Sequence, residues 1–447
     1  MRVAVIGAGI IGVTTAYELA SDGHEVSVFE RQGTVAAETS FANAGVIAPG
    51  YVTPWAGPGM PGKVLGHLLS RHAPVRLRAG HGAGTLPWLW KWWRACRLRT
   101  YQANRLRMQR LAFFSRARLH SISQSLQLDY ERSDGYLVLL RTPRDLALVQ
   151  PGLALLNPLT SPFKLLDAKQ CLAIEPGLNA DTPLHAGIHL PDDEVGNCRQ
   201  FAHLLRLEAQ KLGASFRFFT DVHRIEPGTP PRLVYGQAQT DQPRSKAKKT
   251  RPFRNDAPDT QFLPNEPVTE VFDAIVVCAA LGAGALLRPL GIKLPLLAVH
   301  GYSVTAPLRH NDLHPQGPRS ALMDERYKVA ISRLGNRVRV AGSAEIGGSL
   351  NRHDEATLKT LHKVLHDWFP GAAQMAQAQV WKGARPMLPD GPPVLGPSGQ
   401  AGVWLNLGHG SSGWALSCGS ARLLADQVVG RTPAIDTEGL GIERVRG

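Results

Sequence analysis

Val3-Ala4-Val5-Ile6-Gly7-Ala8-Gly9-Ile10-Ile11-Gly12-Val13 decides how this chain is read. Val3 to Ile6 is a short apolar run of the kind that forms a buried strand. Gly7, Gly9 and Gly12 then complete a G-x-G-x-x-G turn, and helix-forming residues continue through Leu19-Ala20. A polar break at Ser21-Asp22-Gly23 precedes a second strand, Glu25-Val26-Ser27-Val28-Phe29, closed by Glu30. Each part suits a dinucleotide. Gly7 permits the tight turn, Gly9 lets the backbone approach a pyrophosphate, and Gly12 lets helix and strand pack closely. The helix start offers N–H groups and a positive dipole end to the phosphates. Glu30, eighteen residues past Gly12, stands where a carboxylate accepts hydrogen bonds from a ribose and repels the extra phosphate of NADP. The spacing predicts a nucleotide site rather than a glycine turn of purely structural use.

Arg2 followed by small apolar residues mimics a secretory signal, but the glycines and Glu18 break the run and strand pattern resumes at once. No stretch reaches the apolar length of a membrane span, so a soluble or peripheral chain that folds from its first residue is expected. Its 447 residues allow two or three domains, and 43% hydrophobic content with 45 glycines fits an α/β protein rich in turns. The five cysteines (Cys96, Cys171, Cys198, Cys278, Cys418) are scattered without any C-x-x-C pair. That pattern suggests buried thiols in a reducing compartment and no metal site.

The net charge of +14 is regional. Thr39 to Leu128 holds 13 Lys and Arg and no acid, while the rest of the chain has 37 basic against 36 acidic residues. Five of the nine tryptophans lie in that window: Trp55, Trp88, Trp90, Trp92 and Trp93. Indoles and cations together suit a peripheral surface on anionic membrane, each cation adding about 1 kcal/mol. The alternative is that Leu89, Trp92, Leu106, Leu111 and Phe114 face a core, with solvated basic backs. Nucleic acid is not an expected partner, because no recognition motif accompanies the charge.

Helical pattern covers Lys91–Leu126, strand pattern Tyr136–Leu140, helix Gln200–Lys211 and strand Ser215–Phe219. From Gly236 to Glu270 a polar, Pro- and Lys/Arg-rich tract cannot offset its ordering entropy, so 236–270 reads as a disordered basic insertion or a docking arm. The run Asp273–Ala280 closes at Leu281-Gly282-Ala283-Gly284, as a central parallel strand reaching a ligand would. Alternating strands at 302–305, 328–332 and 337–340 point to an antiparallel sheet, interrupted by a helix from Glu355 to Trp368. Val403–Asn406, Gly408-His409-Gly410-Ser411 and a helix from Trp414 form a last strand, turn and helix start.

With Thr39-Ser40-Phe41-Ala42-Asn43-Ala44-Gly45, Gly301-Tyr302-Ser303, Gly383-Ala384-Arg385-Pro386 and Gly408-His409-Gly410 added to the N-terminal motif, the chain resembles the FAD-dependent D-amino acid oxidase superfamily. Within it the likeness is greatest to the bacterial D-amino acid dehydrogenases, carried by Ser40–Trp55, Leu190–Glu194 and Trp404–Pro433. It runs nearly end to end except for 236–270, and His300 stands where a lysine is common. The resemblance implies an α/β protein: a discontinuous, Rossmann-like FAD-binding domain (1–50, 165–235, 271–295 and 380–447) with an α+β substrate domain on an antiparallel sheet (51–164 and 296–379). It implies flavin contacts from Val3 to Val13 and at Glu30, Arg31, Ser40, Asn43, Ala44, Gly45, Gly282, Gly408, His409, Gly410 and Ser411. His409 has a second reading as a structural cap. By the same resemblance Arg385 clamps the substrate carboxylate, for which a guanidinium fork is suited. Tyr302 and Tyr327 are candidate pocket hydroxyls, with Tyr51 behind them.

The activity implied is oxidative deamination of D-amino acids, D-alanine above all. Arg385 presents the substrate Cα–H to flavin N5, hydride transfer leaves an imino acid, and water releases a 2-oxo acid and ammonia. Electrons leave to a quinone or another acceptor, which places the protein in the cytoplasm or against the inner membrane from the cytoplasmic side. Competing readings are an oxygen-using oxidase of the same fold, a relative acting on glycine, sarcosine or hydroxyproline, and a flavin-dependent RNA-modifying enzyme.

Overall fold

The computed structural model describes residues 1–67, 72–78, 82, 84–154, 156, 162–238, 266–309 and 317–446. The N-terminal apolar run forms β1 (Arg2–Ile6), at the centre of a six-stranded sheet. On one side of it lie β2 (Glu25–Phe29) and then β8 (Ser215–Arg217). On the other lie β12 (Ala274–Val277), β19 (Val403–Leu407) and the edge strand β18 (Val394–Pro397). All of these pairings are parallel except β18 with β19. Val3 and Val5 enter one core while Ala4 and Ile6 enter another, so burial on both faces explains the unbroken apolar run.

The first core is closed by helices α1 (Ile10–Ser21), α3 (Leu98–Ser125), α4 (Cys198–Lys211) and α6 (Gly413–Val428). The second is closed in part by a three-stranded antiparallel sheet of β9 (Thr220–Glu226), β10 (Arg232–Gln237) and β11 (Val268–Val271). The ends of the 236–270 tract are therefore strand, Arg232–Tyr235 pairing with Val268–Val271. Residues 239–265, where the expectation of disorder chiefly falls, lie outside the described residues.

A ten-stranded sheet forms the other half of the molecule. Its main path begins with β17 (Gln379–Met387), β13 (Leu297–Pro307), β16 (Arg337–Ile346) and β15 (Val329–Leu334). It continues through β14 (Ala321–Asp324), β5 (Ser133–Leu140), β7 (Ala186–Val195) and β3 (Val46–Ile47). Strand β4 (Val75–Leu77) adds to β16, and β6 (Lys164–Asp167) to β7. The sheet is antiparallel apart from β5 with β14 and β4 with β16, which run parallel. Helix α5 (Glu355–Trp368) covers one face, burying Leu361, Val364 and Trp368 against Tyr302, Val304 and Val340. The remaining face carries Arg385.

The chain crosses between the two sheets more often than its local patterns indicate. Strands β7 and β17, expected in the nucleotide domain, hydrogen-bond in the ten-stranded sheet. Helix α3, expected in the substrate domain, buries Met108, Leu111 and Leu119 beneath α1 and α6. Alternation identifies a strand but not the sheet it joins. Strand β8 ends at Arg217, short of the expected Phe219, which takes a positive φ of 51° at the turn into β9. Among the described residues no helix is long and apolar enough to cross a membrane. All five cysteines are buried and free.

Candidate functional site

Two helix starts and one sheet face converge. The first helix start follows β1. Gly7 holds φ = +100°, and a Cβ on Gly12 would lie 1.8 Å from the Gly7 carbonyl oxygen, so only glycine lets α1 leave the strand this tightly. Gly9 caps α1 without a side chain, while Ser40 Oγ accepts from the Ile10 N–H at 3.0 Å. At the end of β2, Glu30 Oε2 accepts from Ala8 N–H at 2.7 Å and Oε1 from Gln32 N–H at 2.8 Å. Burial nevertheless pushes its carboxyl pKa up, opposed by those two backbone bonds. Each oxygen keeps a lone pair for a ribose hydroxyl.

Val3, Ala4, Val5 and Ile6 are buried within the two cores, as are Ile10 and Val13 in the first. These six side chains position the turn rather than line a site. Ala8 and Ile11 also pack into the first core, so what this segment offers a ligand is backbone. Arg31 is exposed and engaged with Glu38, its Nη2 donating at 2.6 Å. Gly282 belongs to the turn after β12, its N–H donating to Ala279 O at 2.8 Å.

The second helix start is that of α6. The Gly408–Ser412 turn leads into it, the Ser412 N–H donating to His409 O at 3.1 Å, and its Ncap Ser412 makes no side-chain cap. His409 is buried, and its Nε2 lies 3.1 Å from Ser420 Oγ. Ser420 Oγ already donates to Ser417 O, so Nε2 is the donor. Burial holds the His409 pKa down to about 3. Its ring is therefore a neutral internal tie, and only backbone from this residue, Gly408 and Gly410 can face a ligand, with Ser411 exposed beside them.

The 39–45 loop straps these parts to the ten-stranded sheet. Thr39 Oγ1 donates to Ala384 O at 2.7 Å, Ser332 Oγ to Ala44 O at 2.7 Å, and Arg339 Nη1 to Asn43 O at 2.9 Å. Asn43 Oδ1 accepts from Gly45 N–H, and Trp414 Nε1 of α6 donates to Gly45 O at 3.2 Å. Asn43, Ala44 and Gly45 are thus turn-forming and also adjacent to both the sheet and α6.

Arg385 sits in β17, next to Ala384. Its guanidinium lies across Gly301 of β13, where a Cβ would come within 2.3 Å of Nη2. Nη1 donates to Ser343 O at 2.9 Å, and no carboxylate among the described residues pairs with it. Part of the residue stays accessible, yet its depth lowers the pKa to about 10 through desolvation alone. A buried guanidinium without an anion is costly and is relieved by a carboxylate ligand.

The tyrosines do not join it. Tyr302 pairs with Lys382, an odd number of residues from Arg385, and so faces the other side of the sheet. There its hydroxyl donates to Glu345 Oε2 at 2.8 Å and accepts from Asp354 N–H at 3.1 Å, within the core under α5. Tyr327 packs against that same core, with Arg141 stacked over its ring. Tyr51 donates to Glu325 and is also remote. His300 is buried with Nδ1 donating to Gly347 O at 3.0 Å. Thr39, Trp414 and Arg339 were not singled out from the sequence. The available signal for Arg339 was its pairing with Arg337 on one face of an interior strand.

Known proteins match this arrangement. The profile of the FAD dependent oxidoreductases matches residues 2–427. A D-amino acid dehydrogenase of Rhizorhabdus wittichii is 42% identical over 447 residues, covering 99% of this chain and 100% of that protein. One from Cereibacter sphaeroides is 41% identical, covering 99% and 95%. Among solved structures, glycine oxidase from Geobacillus kaustophilus superposes with a TM-score of 0.71 at 20% identity, over 99% of this chain and 98% of that one. L-proline dehydrogenase from P. horikoshii does so at 0.69 and 15% identity, over 100% and 97%; at such identities these two show the fold. The glycine turn, the paired oxygens of Glu30 and the uncapped start of α6 fit FAD, and the chain belongs to the family of FAD-dependent oxidoreductases that includes these D-amino acid dehydrogenases.

Proposed function

We infer that this chain is a D-amino acid dehydrogenase that converts D-amino acids, D-alanine among them, to imino acids, which water turns into 2-oxo acids and ammonia. The observation that carries this reading is Arg385: a recessed guanidinium with no carboxylate partner among the described residues, beside the loop tied to the start of α6. Arg385 would bind the substrate carboxylate and so fix which Cα substituent faces the flavin. FAD, when bound, accepts a hydride from the substrate Cα. Residues 7–12, Glu30, Ser40, 43–45, Gly282 and 408–411 would hold it, and the positive dipole end of α6 would favour negative charge there.

Electrons leave for a quinone-type acceptor in this reading, with helix α2 (Thr85–Ala95) against an anionic membrane. Leu86, Trp90 and Trp93 are 78%, 58% and 50% exposed, and Arg94, Arg97 and Arg99 lie beside them. Such a patch suits lipid headgroups. Trp88 of the same helix is buried, donating to Met387 O at 3.1 Å, which ties the patch to the site. With purified holoenzyme and D-alanine, an artificial quinone should be reduced while an oxygen electrode stays nearly flat. Rapid oxygen uptake with peroxide release would instead identify an oxidase.

A further inference from the structure

Beside the 39–45 loop lies a cavity of about 600 Å³ that no part of the proposed reaction uses. Phe41, Arg199, His203, Arg337, Arg339 and Trp381 line it. Arg339 is buried, with Nε donating to Thr305 Oγ1 and Nη1 to Asn43 O, each at 2.9 Å. No carboxylate among the described residues pairs with it. Arg199 lies 4.1 Å above the Phe41 ring, and its Nε is buried without a hydrogen-bond partner. Arg337 is neutralised by Glu131, which it meets at 2.7 Å. Burial, Arg199 and Arg206 keep His203 below its ordinary pKa. Two uncompensated guanidinium groups thus face a space with aromatic walls.

We propose that this cavity is a second carboxylate site for aromatic monocarboxylates, the carboxylate held by Arg199 and Arg339 and the ring lying against Trp381. Pairing an anion with two recessed guanidinium groups relieves their desolvation, and the indole offers a planar apolar wall. Trp381 also separates this space from the substrate position. Its ring lies over Gly383, where a Cβ would come within 1.9 Å of it, between the cavity and Arg385 on one strand face. An occupant would therefore not compete directly for Arg385.

Benzoate is the probe, titrated calorimetrically into FAD-loaded Arg385→Met protein, so that the substrate position cannot pair a carboxylate. One benzoate should bind, its neutral counterpart benzamide should not, and adding Arg199→Gln should weaken binding about tenfold, partly restored by Arg199→Lys. Arg199→Gln alone should leave bound FAD and the KM for D-alanine unchanged. Loss of all benzoate binding in Arg385→Met, equal binding of benzamide, or indifference to Arg199→Gln would each overturn the proposal. Binding is read without turnover, so these outcomes are distinct from a failure of D-alanine oxidation.

Discussion

In the proposed function a single guanidinium, lying across Gly301, sets substrate binding. Replacing Arg385 by Met removes a bidentate, charge-assisted pairing, so kcat/KM for D-alanine should fall at least about 100-fold (~3 kcal/mol) with flavin content unchanged. Gly301→Ala puts a methyl where Nη2 now lies, 2.3 Å from the new carbon. It should raise KM more than it lowers kcat, in steady-state assays on protein that still carries FAD. His409 gives a pH dependence. Its folded pKa of about 3 lies below the ordinary 6.5, so its contribution is complete above pH 6.5 and is lost as pH falls below it. By pH 5.5 the loss is about 1.4 kcal/mol, and denaturant unfolding of His409→Asn should show a flatter slope across this range. The turn glycines were legible because their conformation is tied to a motif, whereas Arg385 was named by the resemblance alone. Tyr302 and Tyr327 were misread because a strand tyrosine shows its hydroxyl but not its face, and Tyr302 donates to Glu345 on the far side.

Among the elements, α1, α3 and α6 are clamped by one carboxylate. Glu18 is fully buried and accepts from Arg118 at 2.7 and 2.8 Å and from Arg422 at 2.7 Å. Glu18→Gln leaves Arg118 without a carboxylate among the described residues, while Arg422 keeps Asp22 and Asp426, and should lower unfolding stability by about 2 kcal/mol. Helix α2 answers differently. Trp90→Ser with Trp93→Ser, both on exposed positions, should abolish flotation with anionic vesicles while leaving D-alanine turnover with a soluble acceptor intact. Flotation of the variant equal to that of the parent would place the membrane contact elsewhere. Elements with their own period, such as the helix Glu355–Trp368, were readable to the residue. The acid-free window was not one thing: Leu111 is core, Leu106 is exposed, and Trp88 and Trp90 of one helix point to opposite environments.

At the scale of the molecule, the proposed flavin seat draws on segments at both ends of the chain. The parallel order from β8 through β2, β1 and β12 to β19 brings Gly7, Gly282 and Gly408 to the same sheet edge, as glycine-closed strands suggested. The repeated crossings to the larger sheet, by β7 and β17 above all, have no local signature because sheet membership is decided by long-range pairing. If both halves meet at one flavin, D-alanine bound by the larger sheet must reduce it, which anaerobic titration of the FAD-loaded protein with D-alanine reads. The yellow colour should bleach with D-alanine, persist with L-alanine and return on adding an artificial quinone. Protein that holds FAD yet keeps its colour with every D-amino acid offered would contradict this.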